Sequence, residues 1–140
     1  MSLQSVLLPV FVLVGVAFCL LFRLGFLRVG AARTEGLAAR DIAFCRAVWP
    51  DRVVQVEKAF TNQFELPILF YILVVLAIIT RKYDFLFVIL EWLFVILRLV
   101  HAGIHITSNE LRLRFQTFAA GALVLLAMWL IVATRILGAL

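Results

Sequence analysis

Apolar residues fall into long runs over positions 6–22, 66–79, 85–97 (broken only by Glu91) and 118–133. A helix needs about 20 residues to cross a hydrocarbon core, so the second and third runs are too short as they stand. Extending the second back to about residue 53 supplies the length, but only by taking Lys58, Asn62 and Glu65 into the helix. Extending the third to about residue 106 takes in Arg98, His101 and His105. The pattern predicts an all-α, integral-membrane four-helix bundle with helices over about 3–27, 53–80, 85–107 and 115–137. Between helices one and two lies a long connection, 28–52.

The polar positions inside these helices are ordered. Lys58, Asn62 and Glu65 follow at steps of four and three, and Glu91, Arg98, His101 and His105 at steps of seven, three and four, so each set forms one stripe. Lipid cannot solvate such stripes, which must meet each other or the same stripes of neighbouring subunits. An ionisable group within a membrane span costs about 2.5–3.5 kcal/mol on insertion scales, which makes Glu65 a candidate site residue. Pro67 removes a hydrogen bond to the Gln63 carbonyl and is expected to bend helix two just beyond Glu65. Arg81 to Asp84 reads as a tight turn, Ser108 and Asn109 as terminators or caps of helix three that leave 110–114 as a short connection, and Ala119, Ala120, Gly121 and Ala122 as small residues that permit close contact of helix four with a neighbour.

Composition sharpens this. The chain is 66% hydrophobic and 15% charged, with a mean hydropathy of +1.15, which excludes an ordinary soluble domain. Its net charge of +5 is spread over loops and helix ends without an aromatic-basic patch, so no nucleic-acid partner is expected. The charges read instead as a topology signal. Arg28, Arg33, Arg40, Arg46 and Arg52 in the first loop and Arg112 and Arg114 in the third outweigh Arg81, Lys82 and Arg135 on the other side. The first and third loops are thus expected in the cytoplasm and both termini on the opposite side of an inner (cell) membrane. The N-terminus lacks the positive region of a signal peptide, so helix one is expected to be retained. Cys19 and Cys45 suggest neither a disulfide nor a metal centre. His101 and His105, with Glu65 or Glu91, have a spacing that suits a transition metal, but Arg98 one turn away opposes a dication, so no metal is expected. Interhelical hydrogen bonding, worth about 0.6 kcal/mol per contact, needs fewer charges than these stripes carry; a polar pocket at the cytoplasmic end is the better expectation.

The segment Asn62-Gln63-Phe64-Glu65-Leu66-Pro67, followed one helix later by Arg98, His101 and His105, resembles the MAPEG family, the membrane-associated proteins in eicosanoid and glutathione metabolism. Trp49-Pro50 and the run from Phe64 to Tyr71 are similar to its bacterial branch. The resemblance implies a homotrimer binding glutathione between neighbouring subunits near the cytoplasmic face. It assigns glutathione contacts to Asn62, Glu65 and His101, to His105 where the prostaglandin synthase branch has a Tyr, and to Arg28 at the end of helix one. Arg114 matches the Arg that stabilises the thiolate, the catalytic role. Thr61 and Lys58 stand where that branch has Arg residues of the glutathione site, and Phe115 where it has a Ser. Among the remaining cations, Arg98 is a further candidate for a carboxylate. The implied activity is that of a glutathione-dependent transferase or peroxidase acting on lipophilic electrophiles that arrive through the bilayer. The family also implies an alternative, a non-catalytic scaffold or lipid-binding trimer.

Overall fold

A computed structural model describes residues 2–138. They form α1 (Leu3–Thr34), α2 (Ala39–Ala43), α3 (Asp51–Thr61), a 3-10 turn (Asn62–Phe64), α4 (Leu66–Thr80), α5 (Phe85–Ile106) and α6 (Leu111–Leu137), with no strand among the described residues. Among the described residues, four segments are long and apolar enough to span a membrane: Leu3–Thr34, Asp51–Thr80, Phe85–Ile106 and Leu111–Leu137. Helix α5 is central, packing against α6, α1 and α3, while α4 packs on α6 and α1. The main core joins Leu13, Phe70, Leu73, Phe87, Phe94, Leu125 and Met128, with the Phe70 and Phe94 rings stacked at 4.9 Å. Phe11, Phe22, Leu123 and Leu130 are more than half exposed, as side chains facing acyl chains would be.

Helix α1 continues past the expected end at residue 27 to Thr34. Its 32 residues reach about 48 Å, well beyond a hydrocarbon core of about 30 Å. A second small core explains the extension. Leu24, Val53 and Val56 are buried together, with Leu27, Ala31, Trp49, Phe60 and Ile106 against them. Arg28 joins the two walls of this core, paired with Glu57 at 2.7 Å and lying over the Trp49 ring at 5.5 Å. Helix α6 likewise begins earlier than expected, so Arg114 belongs to its first turns and not to a connection.

The expected bend in the second span is a full break. The helix tightens into the 3-10 turn, interrupts at Glu65 and restarts with Pro67 at its N-terminal end. Proline is tolerated there because its missing N–H had no intrahelical partner to lose. A break leaves the Asn62 carbonyl without the amide of Leu66. The fully buried Arg98 supplies the substitute donor, its Nη2 lying 2.6 Å from that oxygen. The stem of Arg98 is accommodated by Gly121 of α6, whose Cβ position would lie 3.9 Å from Arg98 Cδ.

At the opposite end, Arg81 ends α4 at a φ of 54°, and Asp84 caps α5 by accepting from the Phe87 amide at 2.9 Å. Arg135 Nη2 donates to Asp84 Oδ2 at 2.7 Å, tying α5 to the end of α6. The hydrogen bond from Arg135, with that from the Phe87 amide, holds the Asp84 carboxyl below the usual carboxylate range. Its contribution is therefore present above the unfolded pKa of about 3.9 and is lost as pH falls through the lower folded value. Asp84→Ala is expected to cost about 1 kcal/mol through the lost cap. Asp84→Asn keeps the cap and should lose less than about 1 kcal/mol, as befits a half-exposed pair. Melting temperatures across pH 3 to 6 check this, because Asn at 84 should flatten part of the acid limb.

Glu91 is fully buried one turn from Phe87, Val88, Phe94 and Val95, and neither carboxyl oxygen has a partner among the described residues. Glu91→Leu removes two orphaned acceptors at similar volume. It is expected to stabilise the fold by about 1–3 kcal/mol, measured as a rise in thermal midpoint; a fall would show that the carboxyl has a partner in the assembled protein.

Candidate functional site

The break in the second span, the C-terminal end of α5 and the first turns of α6 converge on one end of the bundle. A hollow of about 270 Å³ there is lined by Lys58, Thr61, Asn62, Glu65, His105 and Arg114. A second of about 270 Å³ shares Lys58, His105 and Arg114 and adds Asp51, Val54, Gln55 and Asn109. A third, of about 190 Å³, lies between Asn62, His101, Leu111, Arg114, Phe115 and Phe118. Three adjoining hollows thus meet at Arg114.

Each side chain is held for a local reason. Asn62 Nδ2 lies 3.3 Å from His105 Nδ1; an amide nitrogen only donates, so Nδ1 accepts and Nε2 carries the ring proton. His101 Nδ1 lies 3.1 Å from both the Arg114 carbonyl and Thr117 Oγ1. A carbonyl only accepts, so here Nδ1 carries the proton and Nε2 is turned the other way. The two rings are 5.9 Å apart, centroid to centroid. Arg114 is clamped by Asn109, whose Oδ1 accepts from Arg114 Nη1 at 2.7 Å. Asn109 has a φ of 52°, a left-handed conformation that Asn tolerates well. Arg114 stands in the opening turns of α6, where the helix dipole adds positive potential to its own charge. Lys58 and Glu65 are exposed at the rim.

The two expected stripes meet only in part. Asn62 contacts both Arg98 and His105, but Lys58 and Glu65 face outward, and Glu91 lies deep in the core away from the hollows. Arg98 lines none of the three hollows; it supports the 3-10 turn from behind. Arg28 is also outside them, engaged with Glu57. The Thr61 hydroxyl donates to the Glu57 carbonyl at 3.0 Å, which uses its one donor within α3.

Two supporting residues escape a reading of the stripes. Gln55 Nε2 donates to the His105 carbonyl at 2.6 Å, and Arg52 Nη1 to the Ile106 carbonyl at 3.0 Å. Together they satisfy carbonyls left open at the end of α5 and pin α3 beside the site. Gln55 lies three residues before Lys58 on the same helical face, the one signal that pointed to it.

The unpartnered atoms here suit a polar ligand. Nε2 of His101, Nε2 of His105 and Nε of Arg114 are buried with no partner among the described residues, hydrogen-bonding capacity that a bound polar molecule would take up. No group of His, Cys, Asp and Glu capable of holding a metal ion occurs among the described residues.

The MAPEG family model matches residues 6–134 of the 140-residue chain. The chain belongs to the MAPEG family. No curated protein and no solved structure matches it. As a MAPEG protein with four span-capable helices it is a multi-pass integral membrane protein. MAPEG members commonly use glutathione as a cosubstrate, and the family includes glutathione-dependent transferases and peroxidases as well as non-catalytic members.

Proposed function

We propose that this MAPEG protein is a glutathione-dependent transferase or peroxidase acting on lipophilic electrophiles, working as a homotrimer in the inner (cell) membrane with its polar hollows toward the cytoplasm and both termini on the opposite side. The observation that carries the reading is the single hollow lined by Lys58, Thr61, Asn62, Glu65, His105 and Arg114. Its mixture of one carboxylate, two fixed cations, an amide and an imidazole is complementary to a peptide bearing two carboxylates, an ammonium and a thiol.

Glutathione, when bound, supplies the thiol that attacks the electrophile. The chain's own residues hold and tune it. Glu65, exposed at the rim, accepts from an ammonium; Lys58 offers a point charge to a carboxylate; Asn62 and His105 orient the peptide. Arg114, held by Asn109 in the first turns of α6, places fixed positive charge where a thiolate is favoured over a thiol. His101, in the adjoining hollow, keeps the Arg114 backbone in position through its carbonyl. The bilayer acts as the reservoir of apolar substrate.

Thr61 supports a second reading, a non-catalytic scaffold or lipid-binding trimer. Its short hydroxyl is committed to the Glu57 carbonyl and gives none of the bidentate carboxylate contacts that an Arg would give. Calorimetric titration of the detergent-purified protein with glutathione, together with ultraviolet absorbance of the bound thiolate, separates the two. Saturable binding with thiolate absorbance is expected; neither signal at millimolar glutathione would leave the scaffold reading in front.

A further inference from the structure

The connection between α1 and α3 closes on its own backbone instead of packing into the bundle. Helix α2 buries none of its residues and has no extensive contact with another helix. The Ala38 carbonyl accepts from the amides of Asp41 and Ile42 at 3.0 and 3.2 Å, and the Asp41 carbonyl from those of Arg46 and Ala47 at 2.8 and 3.1 Å. Cys45 stands within this turn at a φ of 54°. Phe44 and Val48 are left 63% and 85% exposed. Arg33, Arg40 and Arg46 are exposed as well, and none pairs with a carboxylate among the described residues. The Arg46 guanidinium lies instead over the Phe44 ring, 5.6 Å from its centroid.

The level of this connection follows from α1. Around Arg28 the exposed residues of the helix change from Phe26 and Val29 to Arg33, Thr34 and then Glu35, and Arg28 lies over the Trp49 ring at 5.5 Å. Tryptophan beside arginine at such a change of surface marks the boundary between hydrocarbon and water. Thr34 is six residues past Arg28, about 9 Å further along the helix axis. The connection therefore leaves α1 about 9 Å outside that boundary and returns to it at Trp49, which brings Phe44 and Val48 back toward the head groups. We propose that segment 33–48 is a membrane-surface anchor, in which Phe44 and Val48 insert among the head groups and upper acyl chains of the protein's own bilayer while Arg33, Arg40 and Arg46 pair with lipid phosphates. Exposed apolar side chains interleaved with unpaired cations match a phosphate layer lying over hydrocarbon. Glu35 and Asp41 reduce the net charge of the segment to +1, so the apolar pair carries the insertion and the cations fix its depth. No residue of segment 33–48 lines the three polar hollows, so this surface is independent of glutathione.

The test uses the full chain in phosphatidylcholine nanodiscs without glutathione. Cys19→Ser leaves the exposed Cys45, beside Phe44, as the single site for a nitroxide spin label. Oxygen concentrates in the bilayer and a neutral nickel chelate stays in water, so their collision rates with the label read its surroundings. Collisions with oxygen are expected to exceed those with nickel. Phe44→Asp combined with Val48→Asp should reverse that order, and Arg33→Gln, Arg40→Gln and Arg46→Gln together should shift it toward nickel by less. A label on the wild-type connection that collides mainly with nickel places the segment in water and overturns the proposal. Shielding from both reagents would mean that a second copy or another protein covers it, which also overturns the proposal, as does an unchanged order in the double Asp variant.

Discussion

Arg114→Ala is expected to lower conjugation to a test electrophile at pH 7 by about ten- to thirtyfold while leaving glutathione affinity within a few-fold of wild type. The guanidinium is fixed by Asn109 at 2.7 Å, and its Nε is buried without a partner among the described residues, so its charge is held in place and is not spent on a protein anion. An ordinary thiol has a pKa of about 8.5, and an adjacent Arg or Lys lowers it to 7.5 or below. Without that cation the bound thiol returns toward the ordinary value, where only about 3% is thiolate at pH 7. The sign gives a sharper check than the size. The deficit should shrink as pH rises, with the variant approaching wild-type rates near pH 9 and its thiolate absorbance titrating about one unit or more higher. A pH-independent loss would point to damaged architecture. Arg112, two residues away, is exposed on the same helix, so the double variant belongs in the series.

Glu65→Gln is expected to fail in the other way. At the rim of the same hollow Glu65 has no protein partner among the described residues, which leaves its carboxylate available to a cationic group. Removing a charge-assisted hydrogen bond costs about 1.5–3 kcal/mol, or about ten- to a hundredfold in glutathione affinity. The bound thiol should keep its wild-type pKa, and kcat at saturation should fall much less than kcat/KM. Titration calorimetry and steady-state kinetics read the two effects separately. Equal losses in kcat and kcat/KM would move Glu65 from holding the ligand to organising the break beside it.

Much of the architecture was legible along the chain because its signals are local. Long apolar runs set the number of spans, and the spacing of Arg98, His101 and His105 put them on one face of α5, whereas the expected single face of Lys58, Asn62 and Glu65 is divided between the end of α3, the 3-10 turn and the break. Pro67 marked the interruption, since a missing N–H acts on its own turn. Contacts between residues far apart in sequence decided the rest. The second span breaks instead of bending because Arg98, 36 positions from Asn62, can donate to the carbonyl that the break exposes. Helix α1 is longer than a hydrocarbon core requires because Leu24, Val53, Val56 and Trp49 form a second core around its end, and that core engages Arg28 with Glu57 away from the hollows. Gln55 became part of the site by reaching the His105 carbonyl 50 positions away, and Arg114 through the early start of α6. Periodicity determines which face a residue occupies; only packing determines whether that face meets lipid, a core or a cavity, because burial and hydrogen bonding of a polar group depend on what the other helices bring opposite it.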